Sequence, residues 1–171
     1  NQETRLTTDP ADQADPAIYG DRVTWSDRRH GGSWWDLYLY DLRTKTETRI
    51  TPGSTLGRGS AISADRIVWG DIRGGFFTLF EYSLGAAGTA RSLNAGPIDN
   101  GITMAGSYAA WYDAAGDIVA YDLAAGRQVQ VTRLPSRQWL PQLSPHYVVW
   151  EDARNGDADI YIARLPDVFK P

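Results

Sequence analysis

The sequence predicts an all-β protein, and within that class a four-bladed β-propeller. The 171 residues include seven Trp, nine Tyr and 17 Gly, a composition that favours strands and tight turns. A unit of about 40 residues with four short alternating segments recurs along the chain, which is typical of propeller blades. Each unit carries a tryptophan followed two residues later by an aspartate: Trp25 and Asp27, Trp69 and Asp71, Trp111 and Asp113, and Trp150 and Asp152.

The first repeat, from Pro16 to Thr51, shows how the sequence specifies a blade. Its four predicted strands are PAIY, RVTWSD, LYLYDL and ETRIT. RVTWSD and LYLYDL alternate in character, as strands with two different faces do. A turn at Gly20 and Asp21, a polar loop that contains glycine and the polar run RTKT separate the strands. The repeat is therefore predicted to be a four-stranded antiparallel meander.

The later repeats contain the same elements in the same order. Their third strands are LFEYSL, IVAYDL and IYIARL, and TARSL and RQVQVT follow as fourth strands in two of them. The last repeat lacks a fourth strand after IYIARL. We place blade one at residues 13–51, blade two at 57–94, blade three at 99–133 and blade four at 138–166, in one domain over residues 1–171.

The amino-terminal segment supplies the strand that the last blade lacks. NQETRLTT, residues 1–8, matches TKTETRIT of the first repeat almost residue for residue. We expect it to complete blade four and to close a four-bladed ring in a monomer, since closure removes exposed sheet edges. Two alternatives stay open: an arc of a larger propeller, and two chains that together close an eight-bladed ring.

Composition and charge exclude several classes of function. The chain has no cysteine, which excludes disulfides, cysteine-ligated zinc and thiol catalysis. The net charge of −4 is small and evenly spread, so we expect no nucleic-acid partner. The sequence lacks an apolar run of about 18 residues, so no membrane insertion is expected. Since the chain begins at Asn1 without a charged and apolar leader, we expect either a processed mature protein or a fragment.

The first and last repeats resemble a known group of repeats. PAIYGDRVTWSDRRHGG and DLYLYDLRTKTETRIT in the first repeat, and VVWEDARNGDADIYI in the fourth, are similar to the TolB-like, WD40-like (PD40-type) propeller repeats of bacterial and archaeal periplasmic and cell-surface proteins. The resemblance covers the whole chain and is weaker in blades two and three. It implies a propeller fold and a secreted, periplasmic or cell-surface location. It implies no particular activity, because such proteins range from peptide- and protein-binding parts to lyase and peptidase domains. The periplasmic namesake also has more blades than the four predicted here.

The Trp-x-Asp-x-Arg element after each second strand is interpreted as structural. Its carboxylate can accept hydrogen bonds from the loop backbone and from the arginine. Because repeats reuse the same internal contacts, we predict that the element holds loops in shape and does not bind a ligand. The pairs are Asp27 with Arg29, Asp71 with Arg73 and Asp152 with Arg154, and blade three has Ala115 in place of the arginine. The same interpretation applies to Asp36, Asp117 and Asp159.

The sequence contains no pattern that predicts a metal, a cofactor or a catalytic triad. EDARNGDAD has alternating oxygen ligands but not the spacing of an EF-hand calcium loop. The two histidines, His30 and His146, lie in different blades, which disfavours a zinc site. A Gly-x-Ser-x-Gly elbow does not occur. We therefore predict no cofactor and no catalytic residue.

The predicted ligand site lies at one mouth of the central channel. The loops between second and third strands carry aromatic pairs in blades one and two, on the face where the innermost strands begin. Aromatic rings beside polar groups suit a sugar ring or a protein hot spot. The alternative is that one ring of each pair fills the space between blades. The predicted ligand-binding residues are Trp34, Trp35, Phe76, Phe77, Trp139, Gln13, Asp15, Arg58, Asp99, Asn100 and Gln138.

We therefore expect a non-enzymatic extracytoplasmic module that binds a polysaccharide or a surface protein. The alternative class is a lyase or hydrolase that uses Asp15, Asp99 or Arg58, and the lack of an accompanying histidine or isolated glutamate disfavours it. A third interpretation is a purely structural module of a longer surface protein. Carboxylates that converge on one substrate position would favour catalysis, and a predominance of aromatic groups would favour binding.

Overall fold

The structure of the protein, a computed structural model, describes residues 2–32, 34–51, 59–73, 76–85 and 88–170. In these residues the chain forms four antiparallel sheets and one helical turn. Sheet 1 contains β1 (Gln13–Tyr19), β2 (Arg22–Asp27), β3 (Asp36–Asp41) and β4 (Thr46–Arg49). Sheet 2 contains β5 (Ser60–Ser63), β6 (Arg66–Arg73), β7 (Phe76–Ser83) and β8 (Ala90–Ser92). Sheet 3 contains β9 (Asn100–Ala105), β10 (Tyr108–Tyr112), β11 (Ile118–Asp122) and β12 (Arg127–Gln130). Sheet 4 contains β13 (Gln138–Leu143), β14 (Tyr147–Asp152) and β15 (Asp159–Arg164), and α1 (Leu165–Val168) follows it.

Each sheet is a meander whose strands pair in the order of the sequence. The turns between first and second strands use left-handed residues, among them Gly20 with a φ of +55° and Gly106 with a φ of +58°. The prediction of an all-β chain with one antiparallel sheet per repeat is confirmed. In the described residues sheet 4 has three strands, and the other sheets have four.

The sheets stack side by side around a shared set of innermost strands. β1 packs on β5, β5 packs on β9, and β9 packs on β13. Because the first strand of each repeat takes part in this contact, the fourth strands lie on the outside. The loops that precede the first strands and those that join second to third strands therefore meet on one face of the molecule.

The repeated tryptophans of sheets 2, 3 and 4 pack on the preceding sheet, and Trp111 does so in a cluster with Leu79 of β7. Trp69 shares an apolar cluster with Leu37 and Leu39 of β3, and Trp150 shares another with Ile118 of β11. Trp69 and Trp150 are 1% and 5% exposed. Burial of a large side chain contributes roughly 3 kcal/mol, so this repeated contact is a major source of cohesion between sheets.

The innermost strands share a backbone irregularity. The pairing of β1 with β2 shifts between Ala14 and Ala17, and Asp15 within the shift has a left-handed φ of +52°. The equivalent residues are Gly59, Gly101 and Leu140, with φ values of +74°, +73° and +49°. Glycine adopts this conformation freely, whereas other residues pay about 1–2 kcal/mol. A bulge of this kind bends the strand and redirects its side chains.

The ring is not closed in the structure. Within the described residues, no packing of β13 on β1 comparable to that of β1 on β5 is found. Residues 2–12 form no strand, so the closing strand expected at residues 1–8 is not observed on β15. Leu6 and Thr7 instead border an apolar space of about 220 Å³ beside Val23 and Trp25. Closure of the ring by the described part of the amino-terminal segment is therefore not observed.

Candidate functional site

The repeated aspartate and arginine form contacts within their own blades. The buried carboxylate of Asp27 accepts a hydrogen bond from Trp25 Nε1 at 2.9 Å and another from Arg29 Nη2 at 2.7 Å. Its second oxygen accepts the backbone N–H of Arg29 at 2.9 Å. Asp152 binds Arg154 in the same way, with 2.5 Å between Nη2 and Oδ2. The carboxylates therefore point into their loops and not toward a shared ligand.

These carboxylates are held in the ionised form. Burial raises the pKa of Asp27, but hydrogen bonds from Arg29 and Trp25 outweigh that effect and its pKa lies below the ordinary value. The hydrogen bond from Arg154 is the largest effect on Asp152 and lowers its pKa to about 2. A carboxylate that is ionised and paired at neutral pH is a poor general acid or base. Asp27 and Asp152 thus serve the structure of their own blades.

Blade three, which lacks the arginine, stabilises its loop by other contacts. Asp113 accepts the backbone N–H groups of Ala115 and Asp117, each at 3.0 Å. Trp111 Nε1 donates to the Pro97 carbonyl at 3.1 Å in place of an aspartate. The aspartate of this blade therefore also serves its own loop.

The bulged innermost strands of the first three blades border a cavity of about 330 Å³, here called the mouth cavity. Ligand pockets in proteins have volumes from about 300 Å³ upward, so the mouth cavity has room for one sugar ring or one side chain of a partner. Polar groups and apolar groups share its walls. The lining residues are Asp15, Gly59, Gly70, Phe77, Ile98, Asp99, Asn100 and Ile102.

Gly70 leaves the mouth cavity open. A Cβ atom at this position would lie 3.4 Å from Ile102 Cδ1, 3.7 Å from Phe77 Cδ1 and 3.8 Å from Ile98 Cδ1. These are contact distances, so any side chain longer than a methyl group would extend into the space that the three apolar residues enclose. The glycine is therefore a determinant of the cavity volume.

The structure brings together four of the residues predicted to bind a ligand. Asp15, Phe77, Asp99 and Asn100 all line the mouth cavity. The two aspartates and the asparagine are exposed. Phe77 also packs partly against the apolar core between sheets 2 and 3, so both alternatives for this aromatic residue, cavity lining and packing, apply at once.

The aromatic pair of blade one lies on the same face but outside the lining of the mouth cavity. The backbone N–H of Arg28 donates to the Asp12 carbonyl at 3.1 Å, which places the loop beside the start of β1. Trp34 is 49% exposed. Trp35 is half-buried, with the Arg28 guanidinium carbon 5.3 Å from its ring centroid. Trp34 is thus the member of the pair that is accessible to a ligand.

Gln138 and Gln13 occupy different surroundings from those expected. The Gln138 side chain is fully buried; its Oε1 accepts a hydrogen bond from Thr132 Oγ1 at 2.8 Å and its amide nitrogen donates to the Ser136 carbonyl. Its amide is therefore unavailable to a ligand. Gln13 borders the apolar space beside Leu6 and not the mouth cavity.

Trp139, in the bulged part of β13, is half-buried. Arg58 lies outside the described residues, as does the side chain of Phe76.

The predicted site did not include the apolar and glycine residues of the mouth cavity, which are Gly59, Gly70, Ile98 and Ile102. Gly59 could have been predicted from the repeat, because it is the equivalent in blade two of Asp15 in blade one. Ile98 and Ile102 could not, since buried isoleucines near a strand are equally expected in the core.

Among the described residues, no group of three or more His, Cys, Asp or Glu side chains is arranged to hold a metal ion. The described part of the chain also contains no helix long and apolar enough to span a bilayer.

Comparison with known proteins gives similar structures. No family model matches the chain, and no curated protein matches it. It is similar in structure to TolB from Acinetobacter baumannii, with a TM-score of 0.70, 14% identity and coverage of 96% of this chain and 44% of that one. The putative TolB from Agrobacterium tumefaciens gives 0.68 and 16%, with coverage of 96% and 62%. The β-propeller domain of the Trilobed protease from Pyrococcus furiosus, described as having an open velcro topology, gives 0.67 and 11%, with coverage of 92% and 56%.

The present chain thus spans between 44% and 62% of the length of these structures. Identities of 11–16% establish likeness of fold alone. The chain has the fold of the TolB-like, PD40-type β-propellers, built from four antiparallel sheets.

Proposed function

We propose that the protein is a non-enzymatic binding module that recognises a polysaccharide or a surface protein through the face that carries the mouth cavity. The observation that supports this most directly is the composition of that cavity, in which Asp15, Asp99 and Asn100 share a space with Phe77. Binding sites commonly combine an apolar wall with a few convergent polar groups.

The chemistry of the lining suits a ligand rich in hydroxyl or amino groups. The carboxylates of Asp15 and Asp99 accept hydrogen bonds, and the amide of Asn100 can both donate and accept. Phe77 offers the flat apolar surface on which a sugar ring or an aliphatic chain can lie. A hydroxyl group or a basic side chain of the ligand would meet the carboxylates.

The exposed ring of Trp34 extends the proposed face beyond the cavity. It lies in the loop that Arg28 attaches to the start of β1, and it is 49% exposed. A large exposed indole beside polar groups is a common anchor in protein and sugar recognition. A polymer that fills the mouth cavity with one unit would contact Trp34 with another.

Binding is favoured over catalysis by the residue types in the cavity. The described lining contains no histidine and no glutamate, and its two aspartates come without a second group of the kind that exchanges protons near neutral pH. We assign the module to the outside of the cytoplasm, as a secreted, periplasmic or cell-surface protein, because the repeats resemble those of such proteins.

Titration calorimetry with soluble polysaccharides tests this proposal. The probes are a neutral β-glucan, polygalacturonate and chitin oligosaccharides, and the variants are Asp99→Asn and Trp34→Ala. Asp157→Asn is the matched control, since Asp157 is exposed and lies in a loop of blade four. We expect saturable binding to at least one probe, weakened about tenfold or more by Asp99→Asn, which corresponds to one lost charge-assisted hydrogen bond, and unchanged in the control.

The same variants separate the two classes of ligand. If no glycan binds, the polysaccharide is excluded, and capture of envelope proteins on immobilised parent and Asp99→Asn protein tests the remaining class. Equal capture by the parent, the variant and the control would exclude the mouth cavity as a binding site.

A further inference from the structure

Sheet 4 has an unpaired edge and an uncovered face. In the described residues β15 pairs with β14 alone, whereas the equivalent strands β3, β7 and β11 each pair with a fourth strand. Ile160 and Ile162 of β15 are 73% and 62% exposed. An exposed strand edge that carries apolar side chains favours pairing with another strand.

The other sheets show what covers such positions. By the register of third strand on second strand, Ile160 and Ile162 are the equivalents of Leu37 and Leu39. Those leucines are 1% and 8% exposed, because they pack in one cluster with Trp69 of sheet 2. The isoleucines of sheet 4 therefore have the form of a contact surface for a following sheet.

Sheet 1 carries the complementary surface. Val23 and Trp25 hold the positions of the residues of β6 that cover β3. They face away from sheet 2, because Thr24 between them is the residue that contacts sheet 2, with 2.9 Å between its Oγ1 and Ser60 Oγ. Trp25 itself is 3% exposed, and an apolar space of about 220 Å³ remains open beside it and Val23. The two ends of the stack thus carry an exposed aliphatic pair and this apolar space.

The segment Glu3–Thr7 has the sequence of an outer strand. Its residues ETRLT differ from ETRIT of the first repeat at one position. In sheet 1 three polar contacts attach ETRIT to its blade: Arg29 Nη1 to Glu47 Oε1 at 2.5 Å, Arg49 Nη2 to Asp36 Oδ2 at 2.7 Å, and the Leu37 N–H to Thr51 Oγ1 at 2.7 Å.

Sheet 4 contains the receiving group of each contact. Arg154 lies over the ring of Tyr161, with its guanidinium carbon 3.8 Å from the centroid, as Arg29 lies over Tyr38 at 4.1 Å. Asp159 opens β15 as Asp36 opens β3. By this equivalence, the groups that would receive Glu3, Arg5 and Thr7 are the guanidinium of Arg154, the carboxylate of Asp159 and the N–H of Ile160.

The segment also lies beside the apolar space of sheet 1. Leu6 borders the apolar space next to Val23 and Trp25. Ile50, the equivalent of Leu6 in the first repeat, lies in the cluster that contains Trp69. Leu6 therefore lies where the outer strand of a preceding blade would lie. If β15 of another chain docked here, the segment would already be next to the contact surface.

We propose that β15 of one copy of this chain pairs with Glu3–Thr7 of a second copy, and that Ile160 and Ile162 then fill the apolar space beside Val23 and Trp25 of that copy. Charge complementarity selects this occupant: Arg154 would bind the Glu3 of the second copy, and Asp159 would bind its Arg5. The contact is heterologous, because it joins β15 of one copy to a different surface of the other. Two copies joined by two such contacts close a ring of eight sheets. This assembly replaces the closed monomer expected from the sequence.

Charge reversal tests the pairing in the full chain. The variants are Arg5→Glu and Asp159→Arg, with Arg133→Glu as a control on an exposed arginine outside the proposed contact. Sedimentation velocity over a range of concentrations measures the mass. We expect the parent and the control to sediment at twice the 18.9 kDa of one chain, and each reversal alone to weaken the dimer about tenfold or more.

Mixing the two reversal variants in equal amounts tests whether the contact joins two different copies of the chain. One contact of the mixed dimer joins Glu at position 5 to Arg at position 159, and the other is native, so the mixture is expected to recover the dimer. A parent that stays monomeric at about 100 μM would overturn the proposal. A monomeric double variant that regains the thermal stability lost in each single variant would also overturn it, because the segment would then pair with β15 of its own chain.

Discussion

The guanidinium of Arg29 lies over the ring of Tyr38, with the guanidinium carbon 4.1 Å from the ring centroid. Its Nη2 binds the buried Asp27 at 2.7 Å, so the arginine joins the end of β2 to the middle of β3. Arg154 repeats the arrangement over Tyr161 at 3.8 Å. The motif therefore connects two strands of one sheet and orders the loop between them.

Substitution of Asp27 by asparagine tests the strength of this connection. The change leaves the Arg29 guanidinium, 18% exposed, without its buried anionic partner. We expect the free energy of unfolding to fall by about 1–3 kcal/mol, since a buried charge-assisted hydrogen bond is lost while Arg29 stays paired with Glu47. Urea denaturation followed by fluorescence measures the change. Asp157→Asn, in an exposed loop, is expected to shift stability by less than about 0.5 kcal/mol. Equal effects of the two substitutions would contradict a structural role for Asp27.

The dependence of stability on acid pH is expected to come in part from Asp152. Its pKa is about 2 in the folded protein against an ordinary value of 3.8, because Arg154 donates a hydrogen bond to it. As the pH falls below about 4, the unfolded chain takes up the proton first, and the stability that this carboxylate contributes is lost. The contribution is fully present above the ordinary pKa.

Asp152→Asn separates this contribution from the rest. We expect the variant to be less stable than the parent at neutral pH and to lose less stability between about pH 5 and pH 2. Stability still decreases at acid pH in both proteins, because the pKa values of Asp27, Asp41 and Asp167 are also lowered. Thermal melts across this range provide the measurement, and parallel curves for parent and variant would refute the assignment.

The sequence predicts the sheets better than it predicts their closure. Alternation and the spacing from Trp25 to Trp69 report local strand pairing and the contact between neighbouring sheets, both of which repeat along the chain. The match between residues 1–8 and the first repeat predicts which strand edge the segment fits. It does not predict which copy of the chain provides that edge, because the side-chain pattern is the same in every copy.

The candidate site was likewise predictable only in part. Asp15, Asp99 and Asn100 could be placed at the mouth because each lies near the start of an innermost strand. Gln138 also lies at the start of an innermost strand, yet it is buried and bonded to Thr132. That burial depends on the length of a single irregular loop, which the repeat pattern does not report.

The bulge at Gly101 is expected to tolerate no side chain. An alanine there would keep a φ near +73° and would place its Cβ atom 2.9 Å from Tyr112 Cε1. At Gly106, with a φ of +58°, a Cβ atom would meet nothing within 4 Å. Both Gly→Ala changes carry backbone strain of about 1–2 kcal/mol, partly offset by a less flexible unfolded chain. We expect Gly101→Ala to lower the free energy of unfolding by about 1–3 kcal/mol more than Gly106→Ala, because Tyr112 must move. Urea denaturation of both variants measures the difference, and equal losses would show that Tyr112 yields without cost.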